Sequence, residues 1–151
     1  MLNIVLHEPE IPQNTGNIAR TCAATGATLH IIKPIPFEIT ESRAKRAGLD
    51  YWPFVNIVMY ENTEEFFSKN PGVTIWMAST KAKQSIYDVK FNDGDFLMFG
   101  KETKGLPEDM IFGDLDHAIR IPMRDNIRSL NLSNSVAIVL YEAIRQCGLT
   151  L

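Results

Sequence analysis

Six short apolar runs punctuate the chain: Leu2 to Leu6, Ala27 to Ile32, Val55 to Met59, Val73 to Ala78, Phe96 to Phe99 and Ala118 to Ile121. Each is strand-sized. Between them the spacing predicts helices over Gly16 to Ala24, over Glu41 to Ala47 ended by Gly48, and over Thr63 to Ser68, where Asn62 and Glu65 are spaced as a capping box. A short helical turn is expected after Pro107. The clearest period comes last: Leu132, Val136, Val139, Leu140, Ala143, Ile144 and Cys147 recur at three- and four-residue steps until Gly148 stops them. That spacing predicts a helix with one face packed on a sheet. Strands too apolar to keep one face wet, alternating with helices, predict an α/β domain with a mainly parallel sheet covered by helices on both faces.

Composition bounds this picture without changing it. At 151 residues, 45% of them hydrophobic, the chain supports one sizeable core and is too short for two ordinary domains, so residues 1–151 are expected to form a single domain. The eight Pro and nine Gly are dispersed, with no linker-like stretch and no internal repeat. Met1 to Leu6 lacks the length and basic flank of a signal peptide, and no apolar run approaches membrane-spanning length, so a cytoplasmic protein without membrane association is expected. Cys22 and Cys147 lack C-x-x-C or Cys/His spacing and read as reduced structural thiols; no metal site is expected. His7, His30 and His117 have no G-x-S-x-G companion and read as structural or solvated.

Charge adds a constraint. A formal net charge of −3 argues against easy nonspecific nucleic-acid binding, which needs Lys and Arg in quantity. Local basic groups remain at Arg43, Lys45 and Arg46, at Lys81 and Lys83, and at Arg120, Arg124 and Arg128. Taken alone, each reads as solvated surface charge.

Three loops leaving strands carry the candidate chemistry. The first, Pro9 to Arg20, opens a helix on which Ile18 and Cys22 share one side while Arg20 points nearly opposite. The second, Phe99 to Pro107, has Gly100 and Gly105 for tight turns or close ligand approach, with Glu102 between them. It is not a phosphate loop, because Leu106 and Pro107 stand where G-x-x-x-x-G-K-[ST] needs Lys and Ser or Thr. In the third, a strand stopped by Pro122 runs through Arg124, Asp125, Asn126 and Arg128 into the cap-rich Ser129-Leu130-Asn131-Leu132-Ser133-Asn134. Free backbone N–H groups and short polar side chains at a helix start suit a ligand with polar edges. Such loops converge on one rim of a parallel sheet, and since no G-x-G-x-x-G follows any strand, a standard dinucleotide site is not expected.

The stretches N-T-G-N-I-A-R (Asn14 to Arg20), G-K-E-T-K-G-L-P (Gly100 to Pro107) and I-P-M…R-S-L-N-L-S-N-S-V-A (Ile121 to Ala137) resemble the three motifs of the SpoU branch of the SPOUT methyltransferases. The resemblance covers nearly the whole chain, including M-L-N-I-V-L-H-E-P-E-I-P at the start and A-G-L-D-Y at Ala47 to Tyr51, and is closest to the TrmL-like tRNA 2′-O-methyltransferases. It implies a SPOUT fold whose C-terminal segment forms a deep trefoil knot, a homodimer, S-adenosylmethionine as methyl donor, and the tRNA anticodon stem-loop as partner. Periodicity rules alone would exclude a knot.

Carried over residue by residue, the resemblance places the cofactor against Ala78, Gly100, Ile121, Ser129 and Leu130. It makes Arg20 and Asn14 catalytic, supported by Glu102 and Asn131. The implied reaction methylates the ribose 2′-OH of the wobble nucleotide, cytidine or modified uridine. A ribosomal RNA or other tRNA target, and a non-catalytic RNA-binding protein on the same scaffold, are alternatives. The family assigns Arg20 as general base, yet a guanidinium stays protonated in proteins. Arg20 is therefore expected to bind a phosphate or stabilise the developing alkoxide. Glu102 would orient Arg20 or the neighbouring loops, and Asn14 and Asn131 would hold the ribose or fix the loops, with helix capping alone as the plain reading of Asn131. The loop from Asp125 to Arg128 would tune the substrate.

Overall fold

Parallel pairing throughout joins seven strands in a computed structural model that describes residues 1–46 and 52–151. In chain order they are β1 (Asn3–His7), β2 (Thr28–Ile32), β3 (Ile57–Tyr60), β4 (Ile75–Ala78), β5 (Gln84–Ser85), β6 (Phe96–Phe99) and β7 (Ala118–Arg120). Their order across the sheet is β3-β2-β1-β6-β4-β7-β5. The six expected strands all form. The seventh, β5, has only two residues and no apolar run, so nothing in its composition announces it; it exists because it pairs with the edge of β7. The A-G-L-D-Y run and the Gly48 stop lie outside the described residues.

Side-chain alternation along the strands divides the core in two. Ile4 and Leu6 of β1, Leu29 and Ile31 of β2, and Leu97 and Phe99 of β6 pack with Ile18 and Cys22 of α1 (Pro12–Thr25) and with Val136, Val139, Leu140 and Ala143 of the last helix, Leu132–Cys147. Val5, Ile32, Phe96 and Met98 face the opposite side, against Phe66 of the helix Thr63–Lys69 and Ile111 of the helix Glu108–Phe112. With Glu41–Arg46 as α2, these become α3 (Thr63–Lys69), α4 (Glu108–Phe112) and α5 (Leu132–Cys147). Helices thus cover both faces, as strands without a wet side require.

Helix ends follow local chemistry with two adjustments. Helix α1 starts at Pro12, four residues before the expected Gly16, because proline's fixed φ suits a first helical position; Asn14 and Thr15 therefore lie in its first turn and are buried. At α3, Asn62 Oδ1 accepts from the Glu65 amide at 2.8 Å as expected, but the Glu65 carboxylate bonds the Glu61 amide, one residue before the cap.

His30 is structural and His117 is at the surface, as expected. His30 is buried, with Nδ1 2.9 Å from the Tyr60 hydroxyl and Nε2 3.0 Å from Asn3 Oδ1, among the rings of Tyr60, Phe66 and Phe96. His117 sits 3.0 Å from the Asp114 carboxylate at the surface. Both cysteines are free; burial pushes the Cys22 thiol up to about 12, which makes it an inert packing group.

Burial also lowers the His30 pKa to about 4 from the ordinary 6.5. Between those values the unfolded chain takes up a proton that the folded chain refuses, so stability rises with pH across this window and is fully present above it. Urea unfolding followed from pH 7 to pH 4.5 should show the midpoint falling as pH falls, and His30→Gln should flatten that slope; an unchanged slope would remove His30 as its source.

Candidate functional site

The C-terminal ends of the central strands open into a cleft of about 960 Å³. Its walls come from the loops after β1, β4, β6 and β7 and from the start of α5. Asn14, Ala78, Gly100, Glu102, Ile121, Ser129, Leu130 and Asn131 all line it, so eight of the nine candidate residues meet in one place. Arg20 is the exception. It lies on the exposed face of α1, six residues beyond Asn14, or about 9 Å along the helix axis.

A polar chain links the three candidate stretches. Glu102 accepts the amides of Glu10 and Ile11 at 2.8 Å each, one on each carboxylate oxygen, and Asn14 Nδ2 donates to the second oxygen at 3.2 Å. Asn14 Oδ1 in turn accepts from Asn131 Nδ2 at 3.1 Å. Asn131 Oδ1 caps α5, taking the amides of Ser133 at 2.9 Å and Asn134 at 3.3 Å and the Ser133 hydroxyl at 2.6 Å. Capping sets the polarity of the whole chain. Only an oxygen can face the helix amides, so the Asn131 amide nitrogen must face Asn14, and the Asn14 nitrogen must then face the carboxylate. Helix capping and site assembly are therefore one role for Asn131.

Two further clamps tie the loop after β1 to the loop after β6. Lys101 Nζ reaches Glu8 at 3.1 Å, and the Thr103 amide and hydroxyl donate to Glu10 at 3.1 and 2.7 Å. The Thr103 hydroxyl and amide hold the Glu10 carboxyl below its usual range. Glu8 takes a positive φ of 54°, which turns the chain between β1 and α1. His7, 5% exposed, lines the cleft with Nε2 3.1 Å from Thr63 Oγ1, and burial lowers its pKa. Sequence reasoning passed over Glu8, Glu10, Lys101 and Thr103 because each partner lies 93 positions away; the only local signal was a pair of carboxylates in E-P-E-I-P.

Gly100 is required by space rather than by φ. A Cβ there would stand 2.0 Å from the Gly105 carbonyl carbon and 2.1 Å from the Leu106 nitrogen, because the Gly105 amide closes the loop onto the Lys101 carbonyl at 2.8 Å. Gly105 supplies the left-handed turn, with φ of 70°.

Known proteins resemble this chain along most of its length. Residues 1–141 match the SpoU rRNA Methylase family. The tRNA (cytidine(34)-2′-O)-methyltransferase of Escherichia coli (strain K12) is 47% identical over 149 residues, covering 98% of this chain and 95% of that one. The tRNA (cytidine(34)-2′-O)-methyltransferase of Saccharophagus degradans is 46% identical over 149 residues, covering 98% and 97%. A solved structure concerned with 2-OH methylation of C/U34 on tRNA superposes with a TM-score of 0.87 at 44% identity, covering 97% of this chain and 95% of the other.

Gly100→Ala should cost more than ordinary core overpacking, at least about 3 kcal/mol, or roughly 6 °C or more in Tm, since backbone is what it strikes. Glu102→Gln turns an amide nitrogen toward at least one donor and should cost about 1–3 kcal/mol. Asn14→Asp sets a second carboxylate against Glu102 and should also destabilise, but less so in the Glu102→Gln background. Strictly additive effects in that double-mutant cycle would contradict the chain.

Proposed function

The chain belongs to the SpoU rRNA methylase family, and from that membership we propose that it transfers a methyl group from S-adenosylmethionine to the ribose 2′-OH of the wobble nucleotide of tRNA, cytidine or modified uridine. The observation that carries the reading is the conjunction of full-length relatives bearing that activity's name with a single cleft in which Glu102, Asn14 and Asn131 lock all three motif loops together.

The cleft suits the proposed donor. Its volume lies in the range of small-molecule sites, roughly 300–1,000 Å³. Ile121 and Leu130 offer apolar surface to a flat base, while Ala78, Gly100 and Ser129 are small enough to let a ligand reach backbone edges. Bound there, S-adenosylmethionine would supply a sulfonium-activated methyl group. The chain's own residues then serve to hold the ribose oxygen in line and to ease the charge that grows on it.

Glu102 and Asn14 act by fixing loop geometry, and their hydrogen bonds are already committed to doing so. Arg20 remains as the electrostatic donor to a phosphate or alkoxide. Because it stands outside the cleft of its own chain, the reading requires a homodimer in which Arg20 completes the cleft of the second copy. The exposed stretch 124–131, running from β7 in the sheet back to α5 against α1, is the segment that a deep trefoil knot would thread. Among the described residues no helix is long and apolar enough to cross a membrane, and the proposed workplace is the cytoplasm, with the anticodon stem-loop as partner.

Labelled S-adenosylmethionine incubated with total tRNA lacking wobble ribose methylation should yield a 2′-O-methyl group that nuclease digestion and mass spectrometry map to the wobble position. Arg20→Ala should lower kcat about 100-fold, and Arg20→Lys retaining near-full kcat would overturn the bidentate role. Retained cofactor binding without incorporation would move the target to another RNA; no cofactor binding would end the methyltransferase reading.

A further inference from the structure

Most charged side chains on the cleft wall are committed within the protein. Lys101 pairs with Glu8, and Lys81, on the loop after β4, pairs with Glu108 at the start of α4. Glu102 accepts from two backbone amides and Asn14. Glu10, whose carboxylate feels the charges of Lys101 and Lys104, is held by Thr103. Two cations on the wall, Lys104 and Arg128, make no ion pair among the described residues, and both are exposed. Lys104 stands on the loop after β6 and Arg128 on the loop after β7, so they approach the cleft from different walls.

An exposed, unpaired cation on the rim of a site lined by carboxylates attracts anions, and an acidic protein of net charge −3 has few such places to hold a polyanion. We propose that Lys104 and Arg128 are positioning residues that grip the RNA phosphodiesters beside the methylated nucleotide, one from each wall. The proposal rests on the cleft being the site of methyl transfer to tRNA, and it adds which side chains hold that substrate. Arg128 suits this role through its planar fork of donors, which can bond two phosphate oxygens at once, while Lys104 acts as a point charge. Ile127, 51% exposed, precedes Arg128 on the same loop and offers apolar contact to an unstacked base next to the gripped phosphate. The carboxylate end of the methyl donor is the competing anion, and the measurement separates the two.

Full-length Lys104→Gln, Arg128→Gln and the double variant would be assayed for equilibrium binding of unmethylated tRNA across a salt series, for calorimetric binding of S-adenosylmethionine, and for steady-state kinetics. Each removal should raise the tRNA Kd and KM several-fold, leave the cofactor Kd unchanged, and reduce the slope of log affinity against log salt by about 0.7 to 0.9. Lys104→Arg and Arg128→Lys should keep the slope. Lys83→Gln removes the same charge from a residue outside the cleft wall and should leave the slope as it is. Unchanged slopes in the cleft variants, an equal loss in Lys83→Gln, or a raised cofactor Kd in place of a raised tRNA Kd would each overturn the clamp. If the parent protein itself neither binds tRNA nor methylates it, the function proposed above fails; if it does both and the variants are indifferent, only the clamp fails.

Discussion

Two helix starts are tied together through one asparagine and one carboxylate. Helix α1 opens without a side-chain cap of its own and without an acidic residue in its first turn, which leaves the positive end of its dipole unanswered locally. Glu102, 91 positions away, answers it by accepting the amides of Glu10 and Ile11 just before that helix. Asn14 carries the contact onward to Asn131, which caps α5. A single polar chain therefore anchors the N-termini of the two helices that cover one face of the sheet. The cleft is the space those anchored loops enclose.

That arrangement explains why the site is at once rigid and built from loops. Loops at the ends of parallel strands are ordinarily the mobile part of an α/β domain. Here the loops after β1 and β6 are joined by Glu8 with Lys101, by Glu10 with Thr103 and by Glu102 with two backbone amides. The loop after β6 is closed tightly enough that Gly100 has no room for a side chain. The stretch 124–131 is different: all its residues are exposed, and it reaches the cleft wall only at its end, from Arg128 to Asn131. Fixed walls on one side and an open basic loop on the other suit a small donor molecule held firmly beside a larger, variable substrate.

The same pairing resolves the tension between an acidic chain and an RNA substrate. Net charge counts carboxylates whose charge is already offset, because Glu8 and Glu108 on the cleft wall each face a lysine. What a polyanion meets at close range is the remainder, and the remainder is cationic. Over distances longer than the screening length of about 8 Å the total matters little.

The amino-acid sequence by itself determined the architecture. Six apolar runs of strand length and one long apolar stripe are local properties, and each became the strand or helix its period demanded because burial rewards that period. The three polar loops were legible for the same reason, since caps and glycines act on their own backbone. Tertiary structure decided the rest. Strand β5 exists only through its neighbour β7, and α1 gained a turn because Pro12 could begin a helix whose charge is met from across the chain. Helix capping and site assembly looked like alternatives for Asn131, yet its amide has an oxygen and a nitrogen that face different partners, so both hold. The clamps among Glu8, Glu10, Lys101 and Thr103 showed only a pair of carboxylates in the sequence, because a contact spanning 93 residues has no period and no spacing. Only the fold, by setting two strand ends side by side, determines which charges cancel and which are left to meet a ligand.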